Sequence, residues 1–211
     1  MKKVKRMNNR TDTASRLVEA AITLFSQNGY DGTSVRAITA HAGANLGAIT
    51  YHFGSKEALY DAALESVTQP IRSLVGKTAT SDGPPLFRIE RLVRVFFQYL
   101  TDNPEFPNMI SHQLASSHRL PRPARETIQR NVEILTSLIV EGQQDGTIRD
   151  GNPRDMALSI AAQPMWLTLA RRALLEASVL DQDDPATREQ IVESVVQFVE
   201  AGLRNHQEDQ Q

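Results

Sequence analysis

Residues 45–52 carry small, polar and aromatic side chains of the kinds that contact the edges of nucleic-acid bases. A helix over this range would turn Ile49 and Phe53 inward and leave most of its other side chains outward. Small residues at positions 47 and 48 would let the helix approach the bases closely, and Leu46 suits contact with a thymine methyl group. The outward set, predicted to face bases, is Asn45, Leu46, Gly47, Ala48, Thr50 and Tyr51.

Residues on either side of this range are suited to holding phosphates. Arg36, on the preceding predicted helix, can reach a guanine edge or a phosphate. Thr33 and Ser34 stand at the start of that helix, where free amide groups attract a phosphate. Lys56 lies beside Ser55, which caps the next helix, so it too stands at a helix start where a phosphate can bind. These residues together predict a surface that binds a nucleic-acid duplex.

Three predicted helices position these side chains. Apolar spacing predicts helices over residues 12–28, 34–42 and 45–52, and each is followed by a glycine that can end it. The second and third are too short to be stable alone. Joined by a tight turn and braced by the first, they form a helix-turn-helix, whose second helix can enter the major groove of B-DNA.

The rest of the chain also has helical periodicity, and patterns typical of strands are nearly absent. Pro70 is expected to bend or end the first of the later helices. The fold class is therefore all-α, with an N-terminal three-helix helix-turn-helix domain followed by a helical ligand-binding and dimerisation domain. The predicted domains are a basic disordered tail over 1–11, the DNA-binding domain over 12–56, the second domain over 57–205 and a polar tail over 206–211. The later helices are predicted over 56–69, 86–101, 105–116, 124–144, 153–177 and 185–205.

The charge is distributed unevenly along the 211 residues. The net charge is −2, yet residues 1–56 hold eight Lys and Arg against three Asp and Glu, and the remainder holds 15 against 22. Such a split favours a small basic module that faces a polyanion, joined to an acidic body. The alternative is chance clustering, since residues 1–10 alone carry five of the eight basic residues. This tail either lies along DNA as a basic arm or stays disordered.

Several classes of protein are excluded or disfavoured. The chain has no cysteine, which excludes disulfides, thiolate zinc sites, iron–sulfur clusters and a cysteine nucleophile. No apolar run reaches the ~18 residues of a membrane helix, and residues 10–15 are mostly polar where a signal peptide needs its apolar segment. Phosphate loops, nucleophile elbows and zinc-protease motifs are absent, and His112 and His118 are too far apart to share a helix face. We therefore expect a soluble cytosolic protein that is not an enzyme, with no cofactor and no metal.

Two helices have apolar surface beyond what one core usually requires. The helix over 185–205 has two apolar stripes side by side, and the helix over 153–177 has small residues on a second face. Pairing with their copies would form a four-helix dimer interface. The alternative is a pair of core helices in a monomer. The predicted interface residues are Ala157, Ala161, Ala173, Val192, Val195, Val199 and Gly202.

A ligand pocket is predicted from polar or aromatic residues within apolar stripes. Gln163 falls inside such a stripe, and an unpaired buried amide would cost a few kcal/mol. Its amide must therefore bond to a ligand, a partner subunit or backbone loosened by Pro164. The alternative for each candidate is ordinary core packing. The candidate effector residues are Phe97, Met109, His112, Gln113, Gln163 and Trp166.

Residues 17–59 resemble the N-terminal DNA-binding domain of the tetracycline-repressor (TetR) family. The C-terminal half, around residues 103–107 and 139–151, is similar to the subgroup that contains the CecR-like regulators. The residues that carry the first resemblance are Leu17, Ala20-Ala21, Leu24-Phe25, Gly29-Tyr30, Thr33, residues 35–38, Ala42-Gly43 and the run 47–59.

The resemblance implies an all-helical homodimer that binds a palindromic operator and is released by a small ligand of the C-terminal domain. Many members have a tyrosine where Thr50 stands, so the contacts of that ring are not expected here. The alternative for Tyr51 and His52 is packing in the small helical core. By position, Thr33, Tyr51, His52 and Lys56 match residues that hold phosphates, and Arg36, Asn45, Leu46, Gly47 and Ala48 fall where bases are read.

The sequence thus favours a sequence-specific DNA-binding transcriptional regulator, most simply a repressor released by a small-molecule effector. Its expected partners are double-stranded DNA, that effector and a second copy of the chain, in the bacterial cytosol at the nucleoid. The alternative is a helical ligand-binding or enzymatic protein whose helix-turn-helix is vestigial.

Overall fold

The computed structural model describes residues 2–116 and 119–205, which form helices joined by turns. The predicted polar tail over 206–211 and His118 lie outside these ranges. No strand forms among the described residues, where Ile148 and Arg204 make an isolated β-bridge. The all-α prediction is confirmed. The helices are α1 (Lys2–Asn28), α2 (Val35–His41), α3 (Ala48–His52), α4 (Lys56–Ala79), α5 (Pro85–Asp102), α6 (Glu105–Ala115), α7 (Arg122–Gln144), α8 (Pro153–Leu169), α9 (Arg171–Glu176) and α10 (Pro185–Leu203).

The chain divides into two compact units, and the first comprises Met1–Pro70 and Pro104–Glu126. Its core gathers apolar side chains from α1, α2, α3, α4 and α6 into one cluster. The predicted domain boundary at residues 56 and 57 therefore differs from the observed division. The first half of α4 and all of α6 belong with the short helices because Leu59, Leu64 and Met109 are fully buried in the same cluster.

The second unit comprises Ile71–Asn103 and Thr127–Gln211. Here α5 packs against both α8 and α10. The buried side chains of this packing include Ile89 and Val93 of α5, Ile160 of α8 and Val196 of α10. Across the described parts of both units, no helix has the length and apolar character needed to span a membrane.

Two helices extend beyond their predicted ends. Helix α1 begins at Lys2, where a disordered tail was predicted over 1–11, since no proline or glycine interrupts residues 2–28. Helix α4 continues through Pro70 to Ala79. A proline inside a helix removes one backbone hydrogen bond, and the burial of Ile71 and Val75 just beyond it holds the helix in place.

The helix predicted over 153–177 is divided at Ala170 into α8 and α9. The side-chain amide of Gln182 donates to the carbonyl oxygen of Leu167 at 3.0 Å. This carbonyl group is the one that would accept from residue 171 in a continuing α-helix. A long-range side-chain bond thus takes the place of a helical one at the point where α8 ends.

Exchanging Ile49 for alanine tests the packing that holds α3. Ile49 is buried in the first unit's core, so Ile49→Ala should lower the free energy of unfolding by about 2–5 kcal/mol. The matched control, Leu46→Ala, removes an exposed side chain of the same segment and should change it by less than about 0.5 kcal/mol. Urea unfolding followed by circular dichroism measures both, and equal losses would contradict the observed packing.

Candidate nucleic-acid interface

The segment from Ser34 to His52 folds as two short helices around a turn. Ser34 caps α2, because its side-chain oxygen accepts from the amide of Ala37 at 3.1 Å. After α2, Gly43 has a φ of +59°, in the left-handed region that glycine tolerates best. The amide of Ala44 then donates to the carbonyl of Thr39 at 2.9 Å, which closes the turn.

Helix α3 is shorter at its start than the predicted range 45–52. It begins at Ala48, and residues 45–47 form a turn in which the amide of Ala48 donates to the carbonyl of Asn45 at 3.0 Å. In this register Ala48 and Ile49 both face the core and are buried. Ala48 was predicted to face bases, and the structure corrects this, because its methyl group is covered by the chain itself.

The opposite side of this segment is exposed. Leu46 is 52% exposed and Tyr51 is 63% exposed. Asn45, Gly47 and Thr50 are exposed as well. The structure therefore leaves these five residues where the sequence places its base-facing set, with the buried face of α3 holding them from behind.

On and before α2, Ser34 and Arg36 are exposed, whereas Thr33 is buried. The Thr33 hydroxyl has one hydrogen to donate, and the carbonyl oxygens of Gly29 at 2.8 Å and Leu24 at 3.1 Å share it as acceptors. Its amide donates to the carbonyl of Tyr30 at 3.4 Å. The predicted phosphate contact of the Thr33 side chain is therefore corrected: this residue fastens the turn between α1 and α2.

Lys56 is half-buried and held at the start of α4. Its Nζ donates to the carbonyl oxygen of Tyr30 at 2.5 Å and lies 4.1 Å from the centre of the Tyr30 ring. Burial lowers the pKa of Lys56, and the charge of Asp31 opposes that shift. An ammonium group has three N–H donors, so one held by the Tyr30 carbonyl leaves two to meet a phosphate.

His52 is half-buried and lies near two aromatic rings. Its ring meets that of Tyr51 edge to face at 4.9 Å and lies 6.3 Å from that of Phe53. His52 therefore packs against neighbouring aromatic side chains of its own segment. Tyr51 is more exposed than His52.

The candidate effector residues are split between the two units. In the first, Met109 is fully buried in the core, and His112 lies against Gly29, where an added Cβ would stand 3.3 Å from its Nδ1. Gln113 is buried, accepts from the Tyr60 hydroxyl at 3.2 Å and donates to the Arg119 carbonyl at 3.3 Å.

In the second unit, Phe97 is buried and Trp166 is 59% exposed. Gln163 is half-exposed, and its amide donates to the carbonyl of Ser159 at 3.3 Å. The chain's own backbone thus satisfies the polar group that was expected to need a ligand or a partner. The six candidate residues thus divide between the two units, and their role in binding an effector stays a prediction.

The predicted dimer residues divide in a similar way. Ala157, Val195 and Val199 are buried within the second unit, so they belong to its own core and not to a contact surface. Ala161 and Val192 are half-buried, whereas Ala173 and Gly202 are exposed. The large apolar side chains that α8 and α10 leave uncovered are Leu158, Trp166 and Phe198.

Sequence reasoning missed the aromatic group formed by Phe25, Tyr30 and Tyr60. The ring of Tyr60 lies 4.8 Å from that of Phe25 and 5.1 Å from that of Tyr30, edge to face in both cases. Burial raises the pKa of Tyr60 to about 12. The signal available was weak, because Tyr30 and Tyr60 are thirty positions apart and no local spacing joins them.

Replacing Thr33 tests its role in the turn. Thr33→Val keeps the shape and removes the hydroxyl, so the buried Gly29 carbonyl loses its side-chain donor, and the free energy of unfolding should fall by about 1–3 kcal/mol. Thr33→Ser keeps the donor and should lose less. Thermal unfolding compares the two, and an unfolding temperature of Thr33→Val at or above that of Thr33→Ser would show that the hydroxyl does not fasten the turn.

Comparison with known proteins finds two matching family domains. Residues 17–63 match the domain described as "Bacterial regulatory proteins, tetR family". Residues 85–199, more than half of the chain, match "Tetracyclin repressor-like, C-terminal domain". The narrower similarity to CecR-like regulators stays a prediction.

Curated relatives and solved structures agree with this match. The transcriptional repressor NicS of Pseudomonas putida is 28% identical over 142 residues, 65% of this chain and 66% of NicS. The transcriptional repressor DhaR of a Mycobacterium species is 28% identical over 155 residues, 72% of this chain and 76% of DhaR. The fold is shared with the transcriptional regulator FadR of Bacillus subtilis, solved in complex with stearoyl-CoA, at a TM-score of 0.74 and 18% identity over 89% of this chain and 98% of FadR. The chain belongs to the TetR family of bacterial transcriptional regulators.

Proposed function

We propose that this regulator is a homodimeric repressor that reads a palindromic operator with the exposed side of residues 45–51 and Arg36, and that a small molecule releases it. One observation carries the proposal. The first unit fixes its shortest helix by burying Ala48 and Ile49, and it leaves Leu46 and Tyr51 uncovered on the other side. A side chain held in place but unused by the core is available for a partner.

The chemistry of the exposed set suits duplex DNA. A guanidinium group such as that of Arg36 can bond two acceptors of a guanine, and an apolar side chain such as Leu46 can contact a thymine methyl group. Gly47 has no side chain to hold the backbone away from the groove. Lys56 and Tyr51 are placed to contact phosphates, which contribute much of the affinity without reading sequence.

The repressor assignment is supported by NicS and DhaR, which are both named transcriptional repressors. A dimer of helix-turn-helix units binds half-sites about 34–36 Å apart on one side of the duplex. A ligand releases such a dimer only if it binds better to the conformation that does not fit the operator. Such a regulator acts in the bacterial cytosol, at the nucleoid.

The operator can be found by footprinting the protein on DNA upstream of its own gene. On that DNA, Arg36→Ala with Tyr51→Ala should weaken binding at least about thirtyfold, since each good contact is worth about 1–3 kcal/mol. The control is Arg154→Ala, an exposed arginine of the second unit. Fluorescence anisotropy measures each affinity, and size-exclusion chromatography checks that the subunit state of the double variant matches that of the unchanged protein.

Salt dependence separates this role from a vestigial domain. If phosphates are bound, the logarithm of the affinity should fall steeply and linearly with the logarithm of salt concentration. Lys56→Met should make that slope shallower. Weak binding without a footprint, unaffected by Arg36→Ala with Tyr51→Ala, would contradict operator recognition.

The dimer is tested at Phe198, which is 69% exposed on α10. The proposed dimer contact is the uncovered apolar surface of α8 and α10. A charge is costly to bury there, so Phe198→Glu should weaken dimerisation by more than about tenfold. The matched control is Phe87→Glu, at another exposed phenylalanine of the second unit, on α5. Light scattering after size-exclusion chromatography gives the mass of each variant, and a dimeric Phe198→Glu would place the interface elsewhere.

A further inference from the structure

The first unit contains a cavity that none of the predicted DNA contacts uses. Its volume is about 650 Å³, within the range of about 300–1,000 Å³ typical of small-molecule sites. It is lined by Tyr30 in the turn after α1, by the first turns of α4, by Gln113 of α6, and by residues 119–122 and Arg125. All of these belong to the same unit as the helix-turn-helix.

An uncharged surface of this cavity is held by hydrogen bonds. The Tyr60 hydroxyl donates to Gln113 Oε1 at 3.2 Å, and Gln113 Nε2 donates to the Arg119 carbonyl at 3.3 Å. Both side chains are buried. Tyr30 also lines the cavity, edge to face with Tyr60. A ligand with an aromatic or aliphatic body would therefore meet a preformed surface of two aromatic rings and an amide.

The charged lining favours an anion. Arg119, Arg122 and Arg125 contribute three guanidinium groups, against the carboxylates of Glu57 and Asp61. Burial is the main cause that raises the pKa of Asp61, followed by the charge of Glu57, while Arg122 opposes the shift. Three guanidinium groups therefore face two carboxylates, so the lining carries a net positive formal charge.

The three arginines differ in whether an ion pair with a neighbouring carboxylate engages them. Arg122 Nε lies 3.6 Å from Glu126 Oε1. Within the described ranges, the side chains of Arg119 and Arg125 make no ion pair. A guanidinium group offers a rigid set of donors that matches the oxygens of a carboxylate or phosphate. A cationic ligand would have to approach three like charges.

One residue of the cavity lining is hydrogen-bonded to a predicted DNA contact. Tyr30 lines the cavity, and its carbonyl oxygen accepts from Lys56 Nζ at 2.5 Å. The same carbonyl accepts from the amide of Thr33, which leads into α2. A ligand that shifts Tyr30 therefore also shifts the ammonium group of Lys56 and the turn before α2.

We propose that this cavity binds a small organic oxyanion, a carboxylate or a phosphate ester with an aromatic or aliphatic body, and that its occupancy changes DNA affinity through Tyr30 and Lys56. The first half concerns binding alone. The second half rests on the proposed operator binding.

Calorimetry on the full chain tests the first half with four probes of similar size: benzoate, phenyl phosphate, benzyl alcohol and benzamidine. At least one anion should bind about tenfold more tightly than benzyl alcohol, because charge-assisted hydrogen bonds are roughly twice as strong as neutral ones. Binding of one anion alone supports the site and identifies its group as a carboxylate or a phosphate ester. Equal binding of benzyl alcohol, tightest binding of benzamidine, or no binding up to roughly 20 mM would overturn it.

Variants then locate the bound anion. Arg119→Gln with Arg125→Gln should lower the affinity for the anion at least about tenfold. The affinity for benzyl alcohol should stay unchanged, since only charged donors are removed. Arg154→Gln, in the other unit, should bind the anion like the unchanged protein. Circular dichroism checks folding, and the two single variants replace the double one if it unfolds. An anion affinity that survives these changes places the ion elsewhere and overturns the proposal.

The second half is measured on operator DNA. A saturating anion should change the operator affinity of the unchanged protein by at least about fivefold, and operator DNA should change the anion affinity by the same factor. The double arginine variant and Lys56→Met should lose this response. A bound anion with no effect on DNA would overturn the coupling alone. Failure to bind operator without any probe counts against the proposed function, while the calorimetry still decides the cavity.

Discussion

The whole candidate interface depends on the burial of a few apolar side chains behind a helix of five residues. A helix this short does not form alone in water, because nucleation costs more than so few hydrogen bonds return. Ala48 and Ile49 supply the missing stability by joining the cluster built on Leu17 and Phe25 of α1. The position of every outward side chain of this segment follows from that contact.

This arrangement separates the residues that fold the first unit from those proposed to meet DNA. Leu46, Thr50 and Tyr51 add little to the core, so their identities are free to suit an operator. A residue at the border of these two sets can both stabilise the fold and contact DNA. Lys56 is such a residue, since its ammonium group holds the Tyr30 carbonyl and also stands at the edge of the proposed interface.

The sequence predicted the helices and the inward positions of the first unit well, because apolar side chains at helical spacing must be buried together. Phe25, Ile38 and Ile49 are buried as their spacing indicates. Prediction from the sequence failed where two faces of one helix are both apolar. The spacing places Val195 and Val199 on the two neighbouring apolar stripes of α10, but only the packing of α10 against α5 shows that both side chains face the chain's own core. Thr33 was misplaced for a related reason, since its carbonyl partners depend on a turn that spacing does not describe.

Trp166 is the single tryptophan of the chain, and it is more than half exposed on α8. An indole in water emits at longer wavelength than one enclosed by protein, so this side chain is an intrinsic optical probe of whatever comes to cover it. If subunits associate through the uncovered apolar side chains of α8 and α10, the emission maximum moves to the blue as concentration rises. The chain thus carries its own label for following assembly.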